Sequence, residues 1–381
     1  MPTSDLILHV IDHLGAGGAQ QLLADLVLRL HKRGRRMAVI NMRRESDLAR
    51  SLTQAGMPVI SLGLARIDPR QLVVLIRHIR HLRPALVHTH LMGANTIGRL
   101  ATVLAGVPAM VVHDHESSAE IYTHPGMLLA LRRLIEPAAP PQNLRYMVVS
   151  QQAAQYAATV ARWPEAQICV VPNGIDVTHM LDYHVSPAEA RSALGIPQDV
   201  PLIGYVGRLR PVKGVDVLLT ALAQLPHTHL LVVGTGPQAA DLTARAGQSD
   251  LMGRIHMLGQ VADVRLALRA CDVYAQPSRR EAFGLAAVEA AAVGLPVVAS
   301  AVGGLRDIVA DGRTGLLVPP DQPAALANAL AHLIAHPDEA RQMGAAGRDY
   351  VCAELSIDRA IERIERVYDE LCDIHTMIRN P

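Results

Sequence analysis

Short apolar segments alternate with amphipathic segments along this chain of 381 residues, and the alternation occurs in two series. Strands that alternate with helices are typical of a parallel sheet covered by helices on both faces. The sequence therefore predicts an α/β protein with two Rossmann-like, doubly wound domains facing each other across a cleft. The predicted strands are 6–11, 37–41, 59–62, 86–88, 110–113 and 146–149, then 202–206, 230–233, 254–258, 273–276, 297–300 and 316–318, and the predicted helices include 20–32, 69–82, 95–104, 215–224, 322–335, 338–351 and 356–378.

The polar stretch at 171–176 interrupts the alternation between the two series. We therefore predict a hinge near 165–180, with an N-terminal domain over 1–168 and a C-terminal domain over 169–355. The last predicted helix, at about 356–381, is long enough to pack back on the first domain. Ligands of such sheets bind beyond the carboxyl ends of the strands, so residues that directly follow strands are the candidates for a site.

The composition argues against several classes of protein. The 36 Lys and Arg residues nearly equal the 35 Asp and Glu residues, which argues against a general nucleic-acid binder, and one Phe and one Trp are too few for a base-stacking platform. The four cysteines form no C-x-x-C pair, so neither a disulfide framework nor a structural zinc site is expected. Without a signal-peptide pattern or an apolar run of about 20 residues, we expect a cytoplasmic protein, soluble or peripheral on the inner face of the cytoplasmic membrane.

Two glutamates, Glu281 and Glu289, lie on either side of the turn Phe283-Gly284-Leu285, which follows a predicted strand and begins a helix. The free backbone N–H groups at a helix start favour an anion such as a phosphate. A loop carboxylate can hold sugar hydroxyls, and a carboxylate about one turn into the helix can accept both hydroxyls of a ribose. The segment is therefore a candidate nucleotide-sugar site, and the alternative is two solvated glutamates.

Two basic residues, Arg208 and Lys213, lie on the turn between the first strand of the second series and the helix that follows. Arginine chelates phosphate oxygens with two donors and lysine adds a point charge, so the pair suits a diphosphate. The alternative is a solvated basic turn.

Glycine-rich turns follow two of the predicted strands. Gly17 and Gly18 precede the first helix, but Gln20 replaces the third glycine of a dinucleotide fingerprint and no acid ends the next strand. Gly236 lies in the turn 234–237, and the strand after that turn also ends without an acid. We therefore predict turns near a phosphate or a base, or plain turns, rather than NAD sites.

Histidines follow two neighbouring predicted strands, as His88-Thr89-His90 and as His113-Asp114-His115-Glu116. Four histidines and two acids are therefore expected at one edge of the sheet. The favoured interpretation is a catalytic or substrate-orienting histidine. The alternatives are a transition-metal site, which imidazole and carboxylate groups can form, and histidines that only cap strand ends.

Taken together, the order and spacing of these motifs resemble the retaining glycosyltransferases of family four, which have the GT-B fold, over nearly the whole chain. The resemblance implies sugar transfer from a nucleoside diphosphate sugar, with an acceptor-side N-terminal domain and a donor-binding C-terminal domain. The matching motifs are Gly17-Gly18, His115 and the acid after it, Ser150, 172–176, Gly207-Arg208, Lys213-Gly214, 234–236, 277–289, 294–299, Gly303-Gly304 and 312–315.

The resemblance also implies roles for individual residues. Arg208 and Lys213 hold the donor diphosphate, Glu289 holds the ribose hydroxyls, and Glu281 faces the transferred sugar. Gln20 stands where the family often has an acid, and His113 is a rival to His115 as the sugar-facing histidine. The other implied site residues are His115 near the reacting carbon, Gly17 and Gly18 over the phosphates, Gly236 at the donor, and the backbone N–H groups of Phe283, Gly284 and Leu285 near the sugar.

The implied reaction retains the anomeric configuration, needs no metal ion or other cofactor, and uses a UDP-sugar, the commonest donor in the family. The expected acceptor is a hydroxyl of a glycan or a lipid-linked acceptor in cell-envelope or polysaccharide biosynthesis. A nucleotide-sugar epimerase of the same fold and a non-catalytic nucleotide-sugar-binding protein are alternatives. Basic and apolar residues at 69–83 and 127–134 indicate either contact with an anionic membrane or an ordinary solvated basic face. The sequence does not predict the oligomeric state.

Overall fold

The computed structural model describes residues 5–15, 17–65, 68–115 and 143–379, with side chains described as far as Cys372. The chain divides into two compact units, the first comprising Met1–Gly174 and Ile357–Pro381 and the second comprising Ile175–Ser356. The division falls after Gly174, later than the predicted boundary after 168, because Ile168–Val170 forms a further strand of the first sheet. Glu116 and the segment 127–134 lie outside the described residues.

Seven strands of the described residues form the sheet of the first unit. They are β1 (Ile7–Ile11), β2 (Met37–Asn41), β3 (Val59–Ser61), β4 (Leu86–His90), β5 (Ala109–Asp114), β6 (Leu144–Val148) and β7 (Ile168–Val170). The strands are parallel in the order β3-β2-β1-β4-β5-β6-β7. The order reverses beside β1, and the carboxyl ends of β1 and β4 therefore flank the switch point at which such sheets bind ligands.

Helices cover both faces of this sheet. Ile7 and Ile11 of β1 pack into one apolar cluster, whereas Leu8 and Val10 of the same strand pack into another, as expected for successive side chains of a strand. Ser150 begins one helix by accepting a hydrogen bond from the backbone N–H of Ala153. The described helices are α1 (Gly18–Lys32), α2 (Asp47–Gln54), α3 (Gln71–Leu82), α4 (Leu91–Gly93), a π-helical turn (Ala94–Gly98), α5 (Arg99–Ala105), α6 (Gln151–Thr159), a 3₁₀ turn (Glu165–Gln167) and the C-terminal helix (Ile357–Arg379).

The C-terminal helix packs on the first unit through an apolar face. Ile361, Tyr368 and Leu371 are fully buried in the cluster that also contains residues of α1. Arg33 adds ion pairs of 2.9 Å to Asp358 and Glu365 at the surface. Because exposed ion pairs contribute at most about 1 kcal/mol, the buried apolar side chains are the main source of this attachment.

The second unit has a six-stranded parallel sheet and its own apolar core. Its strands are β8 (Leu202–Val206), β9 (His229–Val233), β10 (Ile255–Gly259), β11 (Val273–Gln276), β12 (Val297–Ser300) and β13 (Gly315–Val318), in the order β10-β9-β8-β11-β12-β13. Its helices are α7 (Val177–Leu181), α8 (Pro187–Leu194), a 3₁₀ turn (Pro211–Lys213), α9 (Val215–Leu222), α10 (Ala239–Ala246), α11 (Arg265–Ala270), α12 (Leu285–Ala292), α13 (Leu305–Ile308), α14 (Pro323–Ala335) and α15 (Pro337–Glu354).

The α/β class and the two Rossmann-like sheets are confirmed. Two local predictions differ from the structure: β7 lies inside the predicted hinge, and the predicted helix 95–104 is a π-helical turn followed by α5. Within the described part of the chain, none of the helices is long and apolar enough to cross a membrane.

Candidate functional site

A partly buried ion pair occupies the loops after β8 and β11 of the second unit. Nζ of Lys213 lies 2.6 Å from Oε2 of Glu281, and the two side chains are 18% and 10% exposed. The hydroxyl of Ser278 donates to the same carboxylate oxygen at 3.1 Å. The structure therefore joins two of the predicted site residues, which are far apart in sequence, and fixes the carboxylate with two donors.

Glycines allow these loops to pack closely. Gly214, which follows Lys213, has φ of 68°, and a Cβ there would lie 2.0 Å from the carbonyl oxygen of Pro277. At Gly303 a Cβ would lie 1.6 Å from the carbonyl oxygen of Glu281. The backbone on both sides of Glu281 is thus held by neighbouring loops that need glycine at their points of contact.

Replacing Gly214 with alanine is expected to destabilise the second unit. A left-handed φ costs a residue with a Cβ about 1–2 kcal/mol, and the clash with Pro277 adds to that cost. We therefore expect the free energy of unfolding, measured by denaturant titration, to fall by about 3 kcal/mol or more. Gly195→Ala is a matched control, because Gly195 has φ of 65° but no atom within 4 Å of the added Cβ. Equal losses in the two variants would contradict the packing argument.

Arg208, the other predicted phosphate ligand, lies directly after β8 and is exposed. Its guanidinium makes no hydrogen bond or ion pair with the described residues, whereas its backbone carbonyl accepts from the hydroxyl of Tyr205 at 3.2 Å. Arg208 is therefore a cation on a fixed backbone with its donors available for a ligand. Lys213, by contrast, already has a carboxylate partner.

Gly284 is the N-terminal cap of helix α12 and has φ of 110°. No side chain caps this start and no acid lies in the first turn. Leu285 is the first residue of the helix, and Phe283 before it is buried. The positive end of the helix dipole is therefore not offset by a carboxylate of its own first turn, as the predicted anion site requires.

Glu289 lies about one turn into α12. Burial, aided by the negative charge of Asp263, raises the pKa of its carboxyl group from its ordinary value of 4.5 to about 7. The carboxyl group makes no hydrogen bond or ion pair with the described residues, so its oxygens can accept from a ligand that donates hydroxyl groups. The structure thus agrees with the predicted position of this glutamate on the helix, and its ribose-binding role stays a prediction.

Gly236 has a structural reason to be glycine. A Cβ there would lie 2.3 Å from the carbonyl oxygen of Leu209, whose N–H donates to the carbonyl of Thr235 at 2.9 Å. The turn therefore packs tightly on the loop that follows β8. Close packing accounts for this glycine without a ligand, and its predicted contact with the donor is untested.

Gly17 and Gly18 lie at the start of α1 in the first unit. Gly17 is the N-terminal cap residue of the helix, and a Cβ there would lie 2.3 Å from Oε1 of Gln20. Nε2 of Gln20 lies 3.3 Å from Nδ1 of His13. Gln20 therefore packs between the turn and His13. A groove of about 490 Å³ opens beside Gly17, and its polar lining includes Glu45.

The predicted histidine cluster is present in the first unit, with one additional member. His9 of β1 is in register with His88 of β4, and His90 of β4 is in register with His113 of β5. Together with His115 they form one group of neighbouring rings, in which His113 and His115 are stacked with centroids 3.8 Å apart and His88 and His90 are tilted with centroids 4.1 Å apart. Burial lowers the pKa values of all five, to about 3 for His9 and about 4 for His115.

His115 and its rival His113 differ in their contacts. Nε2 of His115 lies 3.0 Å from Nδ1 of His90, whereas neither ring nitrogen of His113 has a partner among the described residues. In the two triads that His90 forms, with His9 and His88 and with His113 and His115, the ligand nitrogens lie within 4.8 Å of one another, as a metal site would need. The choice of histidine and the expected absence of a metal are both untested.

Comparison with known proteins identifies the family. A family model described as glycosyl transferases group 1 matches residues 187–350, and one described as glycosyltransferase family 4 matches residues 16–179. The D-inositol 3-phosphate glycosyltransferase of Xylanimonas cellulosilytica is 35% identical over 308 residues, which are 74% of this chain and 71% of that protein. The chain belongs to the group 1 glycosyltransferases. The corresponding protein of Mycobacteroides abscessus is 35% identical over 264 residues, 65% of this chain and 58% of that protein.

Solved structures show that this group 1 glycosyltransferase has the GT-B fold. Anabaena Alr3699/HepE in complex with UDP and glucose has a TM-score of 0.83 at 22% identity, covering 95% of this chain and 99% of that one. Sucrose-phosphate synthase from Thermosynechococcus elongatus has a TM-score of 0.79 at 26% identity, covering 96% and 98%. The predicted family, fold and enzyme class are therefore confirmed.

The sequence of the glycosyltransferase did not predict the contacts of His9 with the other histidines or of Ser278 with Glu281. His9 interrupts the apolar strand β1, and that interruption was the available signal for a buried polar group. Ser278 binds Glu281 but was noted only as part of a motif. Neither contact follows from spacing along the chain, because each depends on how separate loops or strands pack.

Proposed function

We propose that this group 1 glycosyltransferase transfers a sugar from UDP-sugar to an acceptor hydroxyl, with retention of the anomeric configuration and without a metal ion. The observation that carries the proposal is the fixed Lys213–Glu281 pair in the same unit as Arg208, whose guanidinium has no ion-pair partner among the described residues. The positive charge of Arg208, the remaining donors of Lys213 and the N–H groups at the start of α12 can together bind a diphosphate without a divalent ion. The complexes of Anabaena Alr3699/HepE with UDP and with UDP-glucose support the choice of nucleotide.

In the proposed reaction, the bond between the anomeric carbon and the diphosphate oxygen breaks, and the acceptor oxygen bonds to that carbon on the same face. The leaving phosphate takes the acceptor proton. Arg208, Lys213 and the N–H groups at the start of α12 stabilise the negative charge that develops on the leaving group. The ammonium of Lys213 has three donors, so it can bind a phosphate oxygen while keeping its bond to Glu281.

The remaining predicted residues act on the sugar in this proposal. Glu281, held by Lys213 and Ser278, positions sugar hydroxyls and forms no covalent bond. Glu289 accepts the ribose hydroxyls. His115 contacts the sugar, and Gly17 and Gly18 lie near the phosphates.

For the acceptor, we propose a hydroxyl of a glycan or lipid-linked molecule of cell-envelope or polysaccharide biosynthesis. A phosphorylated inositol is a second candidate, because the relatives from Xylanimonas and Mycobacteroides are named D-inositol 3-phosphate glycosyltransferases. The two candidates are distinguished by measuring UDP release with inositol phosphate and with glycan acceptors. The named homologues support a transferase over the epimerase and the non-catalytic alternatives.

The donor is tested by a thermal-shift panel of UDP, GDP, ADP and their sugar conjugates with a chelator present. A ligand at a hundred times its dissociation constant stabilises a protein by about 2.7 kcal/mol, enough for a visible rise in melting temperature. We expect the rise with UDP and UDP-sugars alone. Arg208→Ala is expected to weaken it, and Arg210→Ala, an exposed neighbour, serves as the control. A rise only with another nucleotide, or none after chelation, contradicts the proposal.

A further inference from the structure

Five largely buried side chains of the first unit form a row of hydrogen bonds that ends at His115. Nδ1 of His88 lies 2.6 Å from the hydroxyl of Tyr368, and that hydroxyl lies 3.5 Å from Nε2 of His9. Nδ1 of His9 lies 2.9 Å from Nε2 of His90. Nδ1 of His90 lies 3.0 Å from Nε2 of His115. We call these five residues the imidazole row.

Every member of the imidazole row is uncharged at neutral pH. Burial lowers the pKa of His9 to about 3 and that of His115 to about 4, and it places those of His88 and His90 well below their ordinary value. Burial raises the pKa of Tyr368 well above 10. Each imidazole therefore carries one N–H and one lone pair, and the tyrosine carries one O–H.

One hydrogen per group couples the directions of all the hydrogen bonds. If His9 donates from Nδ1 to Nε2 of His90, the single hydrogen of His90 is on Nδ1 and points to His115. If His115 donates to His90 instead, every bond reverses as far as the tyrosine. A mixed arrangement places two lone pairs or two hydrogens face to face or, where both His88 and His9 donate to the tyrosine oxygen, leaves the tyrosine O–H without a partner in the row. The row therefore has two complete arrangements, one that donates towards His115 and one that donates away from it.

The ends of the imidazole row differ in what surrounds them. Nε2 of His88 and Nδ1 of His115 have no hydrogen-bond partner among the described residues. His88 is completely buried. His115 borders a cavity of about 10 Å³, enough for one oxygen atom, and Asn173, whose Oδ1 also has no described partner, lines the same cavity.

In an interior without water, an N–H group that has no acceptor costs more free energy than a lone pair that has no donor. The arrangement that donates towards His115 leaves a lone pair at His88 and places the free N–H at the cavity, where an oxygen can accept it. The reverse arrangement leaves the N–H of His88 without a partner. The first arrangement is therefore the more stable one.

We propose that Tyr368, His9 and His90 are positioning residues that hold His115 as the Nδ1–H tautomer, so that it donates a hydrogen bond to a hydroxyl oxygen of the reacting sugar. The Nδ1–H tautomer of His115 follows from the hydrogen bonds of the imidazole row. The hydrogen bond from His115 to the sugar rests on the proposed function. A metal ion is the competing occupant of these histidines. The hydrogen bonds already use both nitrogens of His90, and neither histidine triad contains a carboxylate to balance a buried divalent charge.

The tautomer is tested on the full chain, without ligand, by ¹⁵N NMR of the histidine side chains. The His115 signals are assigned by their loss in His115→Gln. We expect a protonated Nδ1 and an unprotonated Nε2 in the wild-type protein. A protonated Nε2, an imidazolium at pH 7, or stoichiometric zinc after purification would each overturn the proposal.

The use of the row is tested with Tyr368→Phe, which removes the hydroxyl and keeps the ring. We expect mixed His115 tautomers and a fall in kcat of about tenfold, the lower end of the effect of residues that orient metal-binding histidines, with little change in the donor KM. If Tyr368→Phe does not fold, His9→Leu replaces it in the test. It removes the hydrogen bond between His9 and His90 and should have the same effects on the His115 tautomer and on kcat. Tyr183→Phe, in the second unit, should change neither quantity.

The two proposals fail in different ways. A wild-type protein that transfers no sugar from any nucleotide donor contradicts the proposed function, whatever the tautomer. A wild-type protein that transfers sugar, with Tyr368→Phe retaining both the kcat and the Nδ1–H tautomer, contradicts the positioning role alone.

Discussion

Replacing Lys213 or Arg208 with alanine is expected to lower turnover by about 10²-fold or more, as the loss of one charge partner of a transition state does. Both cations are proposed to stabilise the diphosphate as it leaves, when its negative charge is greatest. The measurement is steady-state release of UDP with the acceptor in excess. Lys213 forms an ion pair with Glu281 and Arg208 forms none with the described residues, so the two variants should differ in their melting temperatures.

Lys213→Ala leaves the carboxylate of Glu281 with Ser278 as its remaining donor, so this variant is also expected to melt at a lower temperature. Arg208 makes no ion pair with the described residues, so Arg208→Ala should keep the melting temperature of the wild type. Arg210→Ala controls for the loss of one exposed positive charge near β8. Normal turnover in both Lys213→Ala and Arg208→Ala would rule out the diphosphate assignment.

The spacing of apolar residues along the sequence predicted the central strands and the long helices of the fold. The apolar strands β8, β11 and β12 and the C-terminal helix follow from periodicity alone, and each was predicted to within a residue or two. Strand β7 was missed because Ile168–Val170 has only three residues and directly precedes the polar stretch at 171–176, so its short apolar run was assigned to the hinge. The π-helical turn at Ala94–Gly98 differs from an α-helix in hydrogen bonding rather than in composition, and therefore left no signal.

The sequence predicted which residues belong to the candidate site but not which of them are in contact. Arg208, Lys213 and Glu281 lie in loops after strands and Glu289 lies about one turn into a helix, and that placement was visible in the sequence. The 2.6 Å contact between Lys213 and Glu281 depends on two loops that pack through Gly214. Long-range packing of this kind has no signature in local spacing.

The histidines likewise show that the sequence predicts where residues lie in the fold but not their long-range contacts. Their convergence was predicted, because neighbouring parallel strands end at one edge of the sheet. The hydrogen bond of 2.6 Å between His88 and Tyr368 joins residues that are 280 positions apart in the sequence. It exists because the C-terminal helix packs on the first unit. The predicted packing of that helix gave no reason to expect a tyrosine opposite the histidines.

The raised pKa of Glu289 makes the stability of the enzyme depend on pH between about 4.5 and 7. Burial raises this pKa from 4.5 to about 7, so the folded protein takes up a proton at a pH at which the unfolded chain does not. Between these two values the folded state binds more protons than the unfolded state. The contribution of Glu289 to stability is therefore present below pH 4.5 and is lost as the pH rises through about 7.

Donor binding should depend on pH in the opposite sense. The carboxylate can accept one hydroxyl on each charged oxygen, whereas the protonated group carries a hydrogen on one oxygen and is a weaker acceptor, so protonation competes with the ligand. We expect the dissociation constant of UDP, measured by calorimetry, to be constant above about pH 8 and to rise about tenfold for each unit below pH 7, since one pKa unit corresponds to a factor of ten.

Glu289→Gln separates the two effects because it keeps the shape of the side chain and removes its titration. This variant should bind UDP weakly, without the dependence between pH 5 and 7, and should melt higher than the wild type at pH 8, where the buried charge of Glu289 is costly. The same pH dependence of UDP binding in Glu289→Gln and in the wild type would assign the titration to another group. Wild-type affinity in the variant would remove Glu289 from the ribose site.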